Sequence, residues 1–206
     1  MLYDLSPPLT PGSAVWPGDT PLSREVLADL ARGDNLTLSS LHATVHLGAH
    51  ADAPSHYGKG APSIEARSLE PYLGPCQVLR VPGMRGRRIP PDALPARLEA
   101  PRVLLCTGTF PDPERFAEDF AALGPELVER LAREGVVLVG LDTPSVDPFS
   151  SKALESHQAC LAHDLSVLEG LVLSHVPEGL YELIALPLPL VGFDASPVRA
   201  VLRTRE

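Results

Sequence analysis

Hydrophobic residues along the chain form short aliphatic runs separated by prolines and glycines, a pattern typical of a fold that mixes strands and helices. Two such runs, within residues 101–110 and 136–142, predict buried strands. Between them, residues 113–135 place apolar side chains at helical spacing, which predicts two helices divided at a central Gly-Pro pair. We therefore expect an α/β or α+β fold in one domain that spans residues 1–206, and we take α/β as the fold class.

Residues 35–46 alternate between two faces, which predicts a strand that leads into HLGAHADAPSHY, residues 46–57. This segment holds three histidines and an aspartate. A strand rises about 3.3 Å per residue, so an extended chain would separate His46 from His50 by about 13 Å. That distance is too long, because ligands of one zinc ion lie about 2 Å from it. We therefore expect the strand to end near His46 and a turn or short helical segment to follow, with Gly48 supplying backbone freedom.

Such a turn would bring His46, His50 and Asp52 together. Imidazole nitrogens and a carboxylate oxygen are ligands that zinc accepts, and three protein ligands leave a fourth position open for water, as in catalytic zinc sites. His56 lies four residues beyond the aspartate. It is predicted either as a further ligand or as the group that transfers a proton, because histidine titrates near neutral pH.

A second set of candidate ligands lies far along the chain. His157 and Glu169 are twelve residues apart, which is about 18 Å on one straight helix. They can share a metal only if the chain bends between them, and the HDLS segment around Asp164 offers the cap of a new helix. By spacing alone, Glu169 is a solvated residue at a helix end. Asp142 and Asp147 follow a predicted buried strand and are candidates for supporting a site, although turn chemistry explains them equally well.

Charge and composition exclude several classes of partner. A net charge of −9 argues against a nucleic-acid surface. Three cysteines without a CxxC pair indicate free thiols in a reducing cytosol. We find neither a signal-peptide pattern nor an apolar run long enough to span a bilayer. The expectation is a soluble, cytoplasmic protein that acts on a small molecule and binds neither nucleic acid nor membrane.

The histidine-rich segment resembles HxGTHxDxPxH, the signature of the cyclase family of metal-dependent hydrolases, which includes the bacterial kynurenine formamidases. The matching residues are His46, Gly48, His50, Asp52, Pro54 and His56. The sequence departs from the signature at Ala49, where the family usually has threonine, and so loses a possible supporting hydrogen bond. Two further family patterns, SKxLxxH and LEGL, match at residues 151–157 and 168–171. The VWPGDTP segment around Trp16 is similar as well.

This resemblance implies a β-barrel-like mixed sheet flanked by helices, of the swivelling β/β/α type, in a homodimer. It also implies two zinc ions per subunit, with Asp52 bridging them. The implied ligands of the first ion are His46, His50 and Asp52, and those of the second are Asp52, His157 and Glu169. Histidine and carboxylate ligands would also accept manganese or iron.

The activity implied by the resemblance is that of an arylformamidase, which hydrolyses N-formyl-L-kynurenine to L-kynurenine and formate in tryptophan degradation. Water activated by zinc would attack the formyl carbonyl, and His56 would transfer the proton. Trp16, by composition alone a surface loop residue, would then lie beside the aromatic ring of the substrate. Two other functions stay open: hydrolysis of another cyclic or aryl amide, which Ala49 invites, and metal binding without catalysis.

Overall fold

The computed structural model describes residues 1–205, and Glu206, the last residue of the predicted domain, lies outside the described part. The strands in this part are β1 (Leu2–Asp4), β2 (Ser23–Ala28), β3 (Leu38–His42), β4 (His50–Asp52), β5 (Leu73–Arg80), β6 (Arg88–Ile89), β7 (Arg102–Cys106), β8 (Ala122–Leu123), β9 (Leu138–Leu141), β10 (Ser166–Glu169), β11 (Gly179–Ile184), β12 (Ala195–Pro197) and β13 (Val201–Thr204). The α-helices are α1 (Pro125–Arg133) and α2 (Glu155–Ala162). Short 3₁₀ turns cover Leu30–Arg32, Pro54–His56, Ile64–Ala66, Glu70–Tyr72 and Pro91–Ala93.

Nine strands form one mixed sheet in the order β1-β13-β11-β5-β7-β9-β10-β4-β12. The neighbours β5, β7, β9 and β10 run parallel, and antiparallel strands extend the sheet on both sides. All residues of β7 and β9 are buried, as their continuous aliphatic runs predicted. The curled sheet forms half a barrel with two helices, so the expected α/β class and mixed-sheet core are confirmed.

Apolar side chains fill two clusters that together sandwich the sheet. One cluster includes Leu5, Tyr72 and Leu183, which are almost completely buried. The other includes Leu127 and Leu131, which project from one face of α1 at the spacing of neighbours on a helix. Neither α1, α2 nor any other helix in residues 1–205 is long and apolar enough to cross a membrane.

The first of the two helices expected between residues 113 and 135 does not form. Residues 113–121 are irregular, and α1 begins only at Pro125, where proline is well tolerated in a first helical turn. Phe116 and Phe120 have helical spacing but pack edge-on against Trp16, with ring centroids 5.4 and 6.2 Å from its ring. Tertiary aromatic contacts therefore explain the apolar pattern that indicated a helix.

The strand predicted over residues 35–46 is shorter and lies elsewhere than expected. β3 covers only Leu38–His42 and pairs with β2 in a separate two-stranded hairpin. Every residue of β3 is exposed. The alternating pattern therefore marks an exposed hairpin rather than a half-buried strand that carries the histidine motif into the sheet.

Candidate metal centre

The histidine motif contains a strand where the sequence predicted a helical turn. β4 lies between β10 and β12, and its register sets His50 opposite Glu169 and Asp52 opposite Ala195. His50 and Asp52 are two residues apart, so both side chains leave the same face of the strand. The turn that the spacing required does exist, but it precedes the strand. His46 lies in that preceding loop, and a 3₁₀ turn over Pro54–His56 follows β4.

Two glycines permit this arrangement of backbone. Gly48 has φ +57°, and a Cβ there would lie 2.6 Å from the Leu9 side chain. Gly170 follows β10 with φ +66°, and a Cβ there would lie 2.1 Å from the carbonyl oxygen of Gly48. Glycine is the residue that reaches such angles and such close approach without strain. The glycine of the histidine motif and the glycine of the LEGL pattern thus lie in close backbone contact.

Asp52 lies at the centre of the cluster. Its side chain is fully buried, and its two oxygens face different histidines. Oδ1 lies 3.2 Å from Nδ1 of His46 and 3.5 Å from Nε2 of His50. Oδ2 lies 3.4 Å from Nε2 of His157. One carboxylate thus contacts a histidine in the loop before β4, a histidine in β4 and a histidine in α2.

Glu169 completes the cluster from the opposite side. Its Oε2 lies 3.3 Å from Nε2 of His50, and its Oε1 lies 3.6 Å from Nε2 of His157. The expectation of a solvated helix end, made from spacing alone, is wrong because Glu169 is only 3% exposed and ends strand β10. The chain does bend between the two residues, at Asp164 with φ +51°, but it passes from helix α2 into a strand and not into a new helix.

Each histidine of the buried cluster gives one ring nitrogen to an acceptor outside it. Nδ1 of His50 donates to the Gly48 carbonyl at 2.9 Å, and Nδ1 of His157 donates to Asp147 at 2.9 Å. Nε2 of His46 donates to Oδ2 of the Asp194 carboxylate at 3.0 Å. Since an ionised carboxylate or a carbonyl can only accept, these bonds fix the tautomers. The other nitrogen of each ring points towards Asp52, and it can supply a lone pair to an ion once any proton on it has been displaced.

Of the two outer aspartates, Asp147 was identified from the sequence and Asp194 was not. Asp147 was a candidate supporting residue, and it accepts hydrogen bonds from the backbone of Ser156 and His157 and from Arg88. Asp194 was missed, because it has no motif around it and reaches the site only through the pairing of β12 with β4.

The charges of the cluster shift its pKa values strongly. Burial lowers the pKa of His46, but the nearby carboxylates of Asp194 and Asp52 outweigh burial and raise it to about 10. The pKa of His157 is likewise raised, since Asp147, Asp52 and Glu169 outweigh its burial. Burial raises the pKa of Asp52, yet its histidine partners hold that pKa well below the usual range. The carboxylates are therefore ionised and favour a cation among them.

Several buried polar atoms of the cluster have no hydrogen-bond partner among residues 1–205. They are Nε2 of His50, Nε2 of His157 and both carboxylate oxygens of Asp52. Buried polar atoms are rarely left unpaired, and imidazole nitrogens with carboxylate oxygens are the donor set of zinc and similar divalent ions. The residues present therefore fit a metal centre.

In the described part of the chain, ligand atoms that converge within 4.8 Å of one another form two groups, and Asp52 belongs to both. One group is His46, Asp52 and His56, and the other is His50, Asp52 and Glu169. The sequence had assigned His46, His50 and Asp52 to one ion and Asp52, His157 and Glu169 to another. Asp52 is the shared residue in either division. His56 is close enough to His46 and Asp52 to share a metal ion with them, and its ring centroid lies 4.2 Å from that of His46.

The cluster opens into a cavity of about 1340 Å³ with a largely apolar wall. Trp16 lines this cavity together with the four histidines of the site, and its ring packs 5.0 Å from that of Phe149. Trp16 is half-buried and belongs to this wall, unlike the surface loop residue that composition alone suggested. The arrangement suits a substrate that has a flat aromatic part and a polar group beside the metal ligands.

The Cyclase family model matches residues 3–148. The chain belongs to this cyclase family. Kynurenine formamidase of Bordetella pertussis is 50% identical over 205 residues, covering 98% of this chain and 97% of that protein. Kynurenine formamidase of Bordetella petrii is 48% identical over 204 residues, with the same coverage of both chains. A solved structure titled a potential metal-dependent hydrolase with cyclase activity is similar with TM-score 0.86 at 27% identity, covering 100% of this chain and 98% of that chain.

Cyclase membership confirms the resemblance that the sequence motifs carried and the prediction of a hydrolytic enzyme. At the one departure from the family signature, Ala49 is 3% exposed and packs within an apolar cluster. The remaining histidines of this cyclase-family chain, His42, His163 and His175, are all exposed. They lie outside the buried cluster.

Proposed function

We propose that the protein is a zinc-dependent arylformamidase that hydrolyses N-formyl-L-kynurenine to L-kynurenine and formate, a step of tryptophan degradation. The observation that carries the proposal is the convergence of unpaired histidine nitrogens and carboxylate oxygens at the end of a largely apolar cavity. Relatives named kynurenine formamidase, about half identical over nearly the whole chain, support the choice of substrate.

Two zinc ions would be held by His46, His50, Asp52, His157 and Glu169, with Asp52 between them. Bound zinc lowers the pKa of a water and polarises a carbonyl, which is the chemistry that amide hydrolysis requires. The protein's contribution is to fix its ligands. His46, His50 and His157 each have one nitrogen fixed by an outer acceptor, so the other nitrogen already points at the site before an ion binds and displaces any proton on it.

His56 is proposed as the proton-transfer group. In the reaction, the oxygen of water bonds to the formyl carbon, the carbon–nitrogen bond breaks, and the aryl nitrogen must receive a proton. His56 lines the cavity, and its side chain is 33% exposed while those of His50 and His157 are 4% and 3% exposed. That access suits a group that must exchange protons with solvent.

Trp16 is proposed to bind the aromatic ring of the substrate. Phe116 and Phe149 pack against Trp16 and hold its ring in the cavity wall. Aromatic rings favour offset or edge-on contacts of this kind. A flat anthraniloyl group beside Trp16 would leave its N-formyl group free to reach the histidine and carboxylate cluster.

We also propose that the protein works in the cytosol as a homodimer. All three cysteines are buried and free, which supports a reducing compartment. The β2–β3 hairpin stands apart from the main sheet and exposes Leu38 and Leu41 by 52% and 72%. A lone hairpin is marginally stable in water, so contact with a second copy would stabilise it. Light scattering should give twice the mass of the chain, and a monomer that stays active would contradict the dimer.

The test of the activity is formate release from N-formylkynurenine. Removal of metal by a chelator should abolish turnover, and added zinc should restore it, because the metal supplies the activated water. His56→Ala should lower kcat by about 10²–10⁴-fold, whereas His163→Ala, at an exposed histidine outside the site, should not change it. Turnover that survives chelation would contradict the metal mechanism. Turnover of cyclic amides alone would favour the second candidate substrate class.

A further inference from the structure

Asp194 contacts two functional histidines with a single carboxylate oxygen. Its Oδ2 lies 3.0 Å from Nε2 of His46 and 3.3 Å from Nδ1 of His56. The two histidines flank β4 in the sequence: His46 lies in the loop before it, and His56 lies in the 3₁₀ turn after it. Asp194 therefore connects a metal ligand with the proton-transfer group.

The sheet holds the backbone of Asp194 in place. The backbone N–H of Ala53 donates to the Asp194 carbonyl at 2.8 Å, and Ala195 pairs with Asp52 in the adjoining ladder. The position of Asp194 is thus set by the same strand that carries Asp52. A backbone fixed on both sides distinguishes this contact from an incidental ion pair between two long, mobile side chains.

The chemistry of the contact follows from what each group can donate. An ionised carboxylate only accepts, so Nε2 of His46 and Nδ1 of His56 must both carry a proton. The other nitrogen of His46, Nδ1, then faces Asp52 at 3.2 Å and can bind a metal ion that displaces any proton on it. His56, in its neutral form, has Nε2 free to accept a proton and to donate it again. A carboxylate orients a histidine in this way in metal sites and in catalytic dyads.

We propose that Asp194 is a positioning residue that fixes the tautomer of both histidines, so that His46 is preset to bind metal and His56 to transfer a proton. The inference rests on the proposed function, because it assigns Asp194 a part in the same reaction. It goes beyond that function in naming a residue outside the family motif and in linking metal binding to proton transfer through one oxygen atom.

The experiment measures zinc affinity and steady-state kinetics in parallel. In Asp194→Ala, competition with a chromophoric chelator should show one of the two ions bound about 10–100-fold more weakly, with the other ion unchanged. At saturating zinc, kcat should fall while KM stays constant, because His56 loses its orientation. Asp194→Asn should lie between Asp194→Ala and the wild type, since its amide oxygen still accepts one hydrogen bond. The matched control is Asp119→Asn, which changes a solvent-accessible aspartate away from the site. Asp119 pairs with Arg85 and not with a histidine, so this variant should behave as wild type.

Two results would overturn the inference. One is Asp194→Ala with wild-type zinc affinity and wild-type kcat. The other is loss of both ions together with a lower melting temperature, which would mark a general structural role. A wild-type protein that binds two zinc ions but does not release formate from N-formylkynurenine would refute the proposed substrate instead, and the zinc-affinity measurement would still test Asp194.

Discussion

The candidate metal centre has two sides that use the same bonding pattern in different surroundings. We call His46, His56 and Asp194 the rim, and His157, Glu169 and Asp147 the floor. On each side a histidine lies between Asp52 and an outer aspartate. The outer carboxylate of the rim is 47% exposed, whereas that of the floor is 1% exposed.

The origin of the two sides explains this difference. Two floor residues lie on regular structure, Glu169 at the end of β10 and His157 in the first turn of α2. Asp147 lies in the loop before α2, and the backbone N–H of His157 and the side chain of Arg88 hold its carboxylate. The rim is built on the loop before β4, the turn after it and the residue before β12. Rigid, dry surroundings suit a side that holds a metal ion, and open surroundings suit a side that exchanges protons and substrate with solvent.

The largest effect on folding is expected from the floor. Asp147→Asn removes the charge that faces Arg88 and His157 in a buried position. Breaking a buried ion pair leaves an uncompensated charge, so the free energy of unfolding should fall by about 3 kcal/mol. Urea denaturation of the zinc-free protein measures it. A loss below about 0.5 kcal/mol would remove the distinction between floor and rim.

The matching change in the rim should affect folding little. Asp194→Asn alters a carboxylate that is half in solvent, where ion pairs are screened and add little to stability. The free energy of unfolding should change by less than about 0.5 kcal/mol. The same denaturation experiment checks it, and a loss as large as that of Asp147→Asn would show that both sides are structural.

The sequence predicts the chemistry of the site better than its geometry. The distance along a strand correctly required a turn between His46 and His50. It did not say that the turn would come first, which leaves His50 and Asp52 as alternate residues of strand β4. The pairing of β4 with β10 and β12 decides this, and such long-range register is not encoded in a local pattern.

Other residues were found only by resemblance or not at all. Glu169 resembles a solvated helix end because the bend at Asp164 and the strand that follows are set by tertiary packing. Asp194 carries no spacing signal, since its partners are far away along the chain. Apolar residues in β3 and around Phe116 indicated buried regular elements, but they serve an exposed hairpin and an aromatic wall. A local pattern shows which residues are apolar, but it does not show which part of the structure they pack against.

Asp52 contacts a histidine of the rim and a histidine of the floor, so the number of metal ions bound with and without its charge tests the whole account most directly. Inductively coupled plasma mass spectrometry on dialysed protein should find two zinc ions per chain in the wild type and at most one in Asp52→Asn. The activity of Asp52→Asn should be lower than that of the wild type by more than about 10³-fold. A wild type with a single ion, or Asp52→Asn with both ions retained, would contradict a centre whose two sides meet at this carboxylate.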